Sequence, residues 1–157
     1  MDLSLNVKQN IKRIKVNDAG EYISLNFDDQ TLIPRLYGLI DYFGAVAQEH
    51  QREADALANM PEENQGERNE KIAAFAALQL ESCEKLKAKV DEAFRDNVCQ
   101  KVFGDIVPSV AAFADFFLQL GDLVSGFEKD IVEQRFEAIR TSEKVQKYTG
   151  KYSGKRG

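Results

Sequence analysis

The sequence predicts a mainly α-helical protein with an N-terminal β-hairpin, an α+β fold built on a helical bundle of three to five helices. Two observations lead to this fold class. At the beginning of the chain apolar and polar residues alternate, which is typical of β-strands. Farther along, apolar residues recur at three- and four-residue steps, which is typical of amphipathic helices, and this spacing breaks at Gly104 and Pro108.

The hairpin is predicted over residues 3–27. Its turn is Asn17-Asp18-Ala19-Gly20, since these residue types tolerate the positive φ angles of a tight connection. A two-stranded hairpin is only marginally stable alone in water, so its apolar face must pack on helices or its edge must pair with another chain. The alternating apolar residues are Leu3, Leu5, Val7, Ile14, Val16, Ile23, Leu25 and Phe27.

A first helix is predicted from Leu32 to Ala58. Capping residue types precede it at Asp28-Asp29-Gln30-Thr31, and apolar residues then recur with helical spacing. Its later part, from Gln48 to Asp55, is mostly polar, so we expect it to project into solvent. The segment Met60 to Glu67 combines proline, glycine and like charges and is predicted to be a loop.

A second helix of about ten turns is predicted from Glu67 to Val102. A helix of this length needs a partner, so we expect it to pack antiparallel on the first helix or to extend into an oligomer. Cys83 and Cys99 would then lie about 24 Å apart in one helix, too far for a disulfide bond. We therefore expect both cysteines to be buried thiols in a reducing compartment.

The joint between Gly104 and Pro108 is predicted to end the second helix and start the next. Gly104 can adopt the left-handed conformation that ends a helix, and Pro108 suits a first helical turn. Helical spacing then runs from Val110 to Leu120 and continues beyond Gly121 and Gly126. The pattern is consistent with either one bent helix or two helices.

Charge divides the chain into an acidic body and a basic end. The formal net charge is −5, of which residues 141–157 contribute +4 and the preceding 140 residues −9. We predict a single helical domain over residues 1–140 and a flexible basic tail over residues 141–157. An acidic body repels nucleic acids and membrane surfaces, so we expect protein partners and do not expect nucleic acid to be the main ligand.

The sequence contains no pattern typical of catalysis, a cofactor or a metal centre. His50 is the only histidine, and Ala47 stands three residues before it, where a di-metal bundle would place a glutamate. The lysines of the tail lack the glycines and the Ser or Thr of a phosphate-binding loop. No apolar run approaches the roughly 20 residues of a membrane span. We therefore expect a cytoplasmic protein that is not an enzyme and binds neither cofactor nor membrane.

A partner-binding surface is predicted where aromatic residues are abundant. The helical spacing of these phenylalanines also suits a core, and sequence leaves both interpretations open. Phe116 and Phe117 are adjacent and point about 100° apart on a helix, so both do not fit one narrow core seam. The residues predicted to bind a partner are Phe113, Phe116, Phe117, Leu120, Ile23, Leu25 and Phe27.

The order of these elements resembles that of the tail assembly chaperones of long-tailed bacteriophages. The resemblance covers Leu5 to Leu120: a hairpin, helices with a long polar excursion, and the joint Lys101-Val102-Phe103-Gly104-Asp105 before a Phe-rich helix. It implies a non-enzymatic homo-oligomer in the host cytoplasm that binds the helical tape-measure protein and the tail-tube protein during virion morphogenesis. In such families a longer form is often made by ribosomal frameshifting.

Two alternatives follow from the same features. One is a structural or tail-completion protein of the virion, which would form stable rings. The other is a small regulatory protein whose basic tail interleaves aromatic residues and cations, as at Lys147-Tyr148 and Lys151-Tyr152, and binds nucleic acid.

Overall fold

The computed structural model describes residues 1–61 and 65–152. Within these residues the chain forms an N-terminal antiparallel hairpin followed by helices, so the predicted mainly helical fold with a hairpin is confirmed. The chain divides into two compact units, Met1–Phe117 and Leu118–Gly157. The elements are β1 (Ile11–Lys15), β2 (Tyr22–Asn26), α1 (Leu32–Ala58), α2 (Gln65–Phe94), α3 (Val98–Phe103) and α4 (Val110–Tyr152).

The hairpin turn forms where the sequence predicts it. Gly20 has a φ of 84°, which favours glycine. The side-chain oxygen of Asn17 accepts hydrogen bonds from the backbone N–H groups of Ala19, at 2.9 Å, and Glu21, at 3.2 Å. Asn17 thus provides the hydrogen-bond acceptor for two backbone N–H groups at this turn. This is an Asx-type turn, which explains why asparagine begins the loop.

The strands are shorter than the predicted hairpin of residues 3–27. Leu3, Leu5 and Val7 lie outside both strands and are exposed, which corrects the strand predicted from their alternation. The reason is that the pairing of β1 stops at Asn10, so the residues before Asn10 have no partner strand. The backbone N–H of Phe27 bonds to the carbonyl of Asn10, and after Phe27 the chain turns toward α1, so nothing continues the ladder opposite the first residues.

The hairpin packs on the helices and is also held by polar contacts with α3. The side-chain amide of Asn17 donates to the carbonyl of Lys101 at 3.0 Å. In return the Lys101 ammonium donates to the carbonyl of Tyr22 at 3.0 Å and pairs with Asp96 at 2.7 Å. Because these bonds join residues about 80 positions apart, they fix the hairpin against the C-terminal end of α3.

The helices α1 and α2 pack antiparallel, as one of the two predicted arrangements requires. The beginning of α1 lies beside the end of α2, since the guanidinium of Arg35 donates to the carbonyl of Ala93. Toward the other end, the rings of His50 and Phe75 are 5.3 Å apart. Arg35 also pairs with Asp29 at 3.0 Å, so one side chain links the start of α1 to the end of α2.

The second helix ends earlier than predicted. It stops at Phe94 because Arg95 adopts a φ of 57°. The N–H of Arg95 then bonds to the carbonyl of Glu92 and the N–H of Asp96 to that of Asp91, the two bonds of a Schellman motif. This motif normally uses glycine, and an arginine in its place gives no sequence signal. Cys99 therefore belongs to α3, and the 24 Å separation expected for a single helix does not apply.

The joint after α3 differs in detail from its prediction. Gly104 ends α3 with a positive φ of 77°, but its ψ of −155° lies outside the left-handed helical region and is accessible essentially to glycine alone. Pro108 is buried before the helix and not in its first turn. Ser109 instead caps α4, because its hydroxyl accepts from the N–H of Ala112 at 3.1 Å.

The last helix, α4, is continuous from Val110 to Tyr152 and passes both Gly121 and Gly126. Of the two arrangements predicted for the segment after Val110, one helix or two, the structure has one helix. The helix also enters the segment predicted as a basic tail, of which residues 153–157 lie outside the described residues. The domain boundary at residue 140 and the flexibility of the tail stay predictions.

The core of the first unit joins the hairpin to all four helices. Its members come from β2 and from the facing sides of α1, α2, α3 and the first two turns of α4. The described residues include no buried charged or polar side chain in this core. The buried cluster consists of Ile23, Leu39, Cys83, Leu86, Val90, Val98, Cys99, Phe113 and Phe117.

Replacing Asn17 tests the link between the hairpin and α3. Asn17→Ala removes the loop bonds and the bond to Lys101, so we expect the free energy of unfolding to fall by about 2 kcal/mol. Chemical denaturation measures this change. Asp18→Ala, one residue along the same loop and exposed, should shift stability by no more than about 0.5 kcal/mol. Equal effects of the two substitutions would show that Asn17 does not fix the hairpin.

Asp29 makes the stability depend on acid pH. Hydrogen bonds from the Thr31 side chain and backbone, followed by Arg35, lower the pKa of Asp29 below its ordinary value of 3.8. A lowered folded-state pKa contributes stability that is present above pH 3.8 and is lost as the pH falls through the folded-state pKa. Asp29→Asn should therefore be less stable than the parent at pH 7, and the difference should shrink on acidification.

Denaturation midpoints at a series of pH values measure this effect. The control is Asp41→Asn, which changes an exposed carboxylate of α1. A difference between Asp29→Asn and the parent that stays constant down to the lowest pH at which both fold would contradict the assignment.

Candidate protein-binding surfaces

The structure places most of the predicted partner-binding residues in buried positions. Ile23, Leu25, Phe113, Phe117 and Leu120 all expose 8% or less of their surface. They cannot contact a partner in this conformation, which corrects their prediction as surface residues. The reason is that the hairpin lays its apolar face on the helices, while Phe113 and Phe117 fill the centre of the core. Phe116 and Phe27 are half-buried.

The aromatic residues form one connected cluster. Phe117 lies 4.8 Å from Phe43 of α1, measured between ring centroids, and Phe113 lies 5.5 Å from Phe103 of α3. Phe116 contacts Phe103 at 5.9 Å and Phe94 of α2 at 6.3 Å. The adjacent pair Phe116 and Phe117 therefore does serve one core, because neighbouring helices approach α4 from two directions.

An exposed apolar segment of α4 was not predicted. The stretch Val110–Asp130 is long and apolar enough to cross a membrane by length and composition, and 17% of the residues in an 18-residue window of it are buried. This corrects the expectation that no apolar run approaches that length. Leu118 exposes 70% of its surface and Leu123 exposes 42%. The helical spacing of α4 predicted an apolar stripe but not which side chains the core would leave uncovered.

A second exposed apolar surface lies on the part of the α1–α2 pair that extends beyond the core. We call residues 46–61 and 65–82 the arm. Leu78 exposes 51% of its surface and Ile72 exposes 44%. Between the two helices is a groove of about 220 Å³, which we call the arm groove. It is lined by Glu53, Ala56, Leu57, Met60, Lys71, Ala74, Phe75 and Leu78.

His50 packs into the arm and does not lie on a solvated helix face. Its ring contacts that of Phe75, and its Nδ1 atom is buried without a hydrogen-bond partner. Among the described residues no group of three or more His, Cys, Asp or Glu side chains is arranged to hold a metal ion. Apolar contacts and net charge are therefore the features of the arm that bear on binding, and we assign no metal site to it.

The arm is acidic. Residues 46–61 and 65–82 contain six Asp or Glu and three Lys or Arg, a net charge of −3. Within the described part, Glu53 lines the arm groove, and Glu67 and Glu70 are exposed on α2. An apolar groove with acidic residues around it suits an amphipathic helix that carries basic residues beside its apolar stripe.

A larger groove of about 350 Å³ lies between the first half of α1 and the end of α2. Two of its cations already have partners: Arg35 pairs with Asp29, and the Lys89 ammonium lies 5.6 Å from the centre of the Tyr42 ring. These contacts belong to the packing of α1 on α2, so the groove offers little uncommitted charge to a ligand.

The two cysteines are free thiols in the core and show no sign of reactivity. Burial raises the pKa of Cys99 to about 12, with a further contribution from the nearby carboxylate of Asp91. Burial also raises the pKa of Cys83. Both thiols are therefore neutral at physiological pH, where a nucleophile would need to be a thiolate.

Comparison of the chain with known protein families, with curated proteins and with solved structures found no match. Assignment of a function therefore depends on the surfaces just described and on the resemblance in the order of elements.

Adjacent residues of α4 separate core from surface. Phe117→Asp places a charge in the core and removes the contact with Phe43, so we expect a loss of about 3–5 kcal/mol or complete unfolding. Leu118→Asp, at the next position, should change stability by about 0.5 kcal/mol or less, because that side chain is largely exposed. Circular dichroism during denaturant titration measures both. A folded Phe117→Asp variant as stable as the parent would show that Phe117 is a surface residue and not a core residue.

Proposed function

We propose that the protein is a non-enzymatic tail assembly chaperone of a long-tailed bacteriophage, which binds the helical tape-measure protein and the tail-tube protein in the host cytoplasm. The observation that carries this proposal is the uncovered apolar surface of α4 between Val110 and Asp130. Leu118 and Leu123, the large apolar side chains exposed in this stretch, offer contact area to another apolar helix. The resemblance names the class of partner.

The size of the surface suits reversible capture. Fully burying a leucine is worth about 1.5–3 kcal/mol, so exposed leucines such as Leu118 and Leu123 supply a few kcal/mol each at most. Association itself costs several kcal/mol in lost translational and rotational freedom. The two leucines therefore offset only part of that cost, so the contact is weak enough for a chaperone to yield its partner to the next assembly step.

The order of elements also supports the proposal. The hairpin precedes the long helices, and the joint after Phe103 leads into the Phe-rich start of α4, as the resemblance requires. Reading the nucleotide sequence across the codon for Gly157 tests the same resemblance independently. A slippery run with an overlapping frame, followed by a very long helical reading frame, would support a tail chaperone; a clean stop without such a neighbour would count against it.

The direct test is co-purification with fragments of a tape-measure protein. We expect the parent chain to retain such a fragment and the Leu118→Asp/Leu123→Asp variant to lose at least about tenfold in affinity. Ser125→Asp/Gly126→Asp is the matched control, since it adds the same two negative charges at exposed positions of the same helix without removing apolar surface. Retention by the double variant equal to that of the control would reject α4 as the binding surface.

A second candidate function is membrane association, and the same stretch of α4 favours it by length and composition. Asp115 and Asp122 lie within the stretch, and a carboxylate in the apolar layer costs about 2.5–3.5 kcal/mol on insertion scales. Phe113 and Phe117 are also already engaged in the core. Flotation with lipid vesicles separates the candidates: a chaperone stays in the aqueous fraction, and a membrane protein floats with the lipid.

A further inference from the structure

The acidic arm lacks a partner for its apolar groove within the described part of the first unit. The groove has an apolar lining, and Glu53 and Lys71 stand on its wall. Leu78 remains half exposed although it is a large apolar residue. A third helix laid along this groove would cover that surface, and the charge of the arm requires that helix to be basic.

The same chain contains a segment with the opposite charge. Residues 135–152 include five Lys or Arg and two Asp or Glu, a net charge of +3 against the −3 of the arm. The backbone of α4 is helical as far as Tyr152. In a helix, Val145, Tyr148 and Tyr152 are spaced so as to share one face.

The lysines of this segment repeat with the same spacing, one position earlier. Lys144, Lys147 and Lys151 therefore form a stripe about 100° from the apolar one. By sequence and backbone, the end of α4 is thus an amphipathic basic helix. The acidic arm with its apolar groove and this basic amphipathic helix are complementary in both chemistry and sign.

We propose that the arm groove of one copy receives the basic C-terminal part of α4, residues 135–152, from a second copy. Such a contact joins two different surfaces and is therefore heterologous, so repetition gives a closed ring or an open chain of subunits. Its formation does not depend on a tape-measure protein or on any other partner. Because the attraction is electrostatic, the contact weakens as salt shortens the Debye length.

A charge-reversal experiment on the full chain tests the proposal. The arm variant carries Glu53→Lys, Glu67→Lys and Glu70→Lys, and the helix variant carries Lys144→Glu, Lys147→Glu and Lys151→Glu. Light scattering or sedimentation measures mass against concentration for the chain alone. We expect the parent to self-associate, more weakly at high salt, and each variant to lose at least about tenfold in association constant.

Mixing the two variants is the decisive experiment. In the mixture, an unchanged α4 meets an unchanged arm, and a reversed α4 meets a reversed arm, so association should return at an equimolar ratio. A chain that carries both sets of substitutions should also self-associate. Circular dichroism of each variant confirms that it is folded, and recovery in the mixture shows this independently.

The matched control carries Asp18→Lys, Asp41→Lys and Asp105→Lys, which reverse the same number of acidic charges at exposed positions outside the arm. It should associate within about twofold of the parent. A monomeric parent at high micromolar concentration overturns the proposal, including the case in which α4 docks within its own chain. So does parental association of the arm variant, or failure of the mixture to associate. None of these outcomes involves a tape-measure fragment, so the function proposed above is tested separately.

Discussion

Burial of Phe113 and Phe117 is the interaction on which the rest of the first unit depends. Through Phe103 and Phe43 these two side chains join the first turns of α4 to α3 and α1. The break after Phe94 and the joint at Gly104 allow α3 to turn so that these rings can meet. A buried phenylalanine contributes about 3–5 kcal/mol relative to alanine, a large share of the 5–15 kcal/mol that stabilises a typical domain.

This core uses the residues that looked most suitable for binding. A phenylalanine-rich segment serves equally well inside a protein or at an interface, since both environments reward the same apolar surface. Here the interior takes Phe113 and Phe117, and the uncovered apolar groups are smaller ones farther along α4 and on the arm. Leu118, Leu123 and the arm groove are therefore the candidate binding surfaces.

Local patterns in the sequence predicted the elements well and their burial poorly. The hairpin turn follows from turn chemistry and α1 from the helical spacing of its apolar residues, and both act within a few residues. The end of α2 could not be predicted, because Arg95 takes a conformation that the sequence would suggest only for glycine. The length of the hairpin depended on whether a strand lay opposite Leu3 and Leu5, and the burial of Phe117 depended on Phe43. Both are long-range contacts that periodicity does not contain.

The continuity of α4 has a consequence for how the protein melts. Two turns of this helix are anchored in the core and supply a nucleus that helix formation in water otherwise lacks. The residues beyond Phe117 prolong that helix as a separate compact unit. Each of their turns therefore gains or loses helicity by extension from its neighbour, and the turns farthest from the core lose it first. Loss of helical signal on heating should accordingly begin as a gradual slope before the cooperative transition of the core, so a single midpoint temperature does not describe the whole chain.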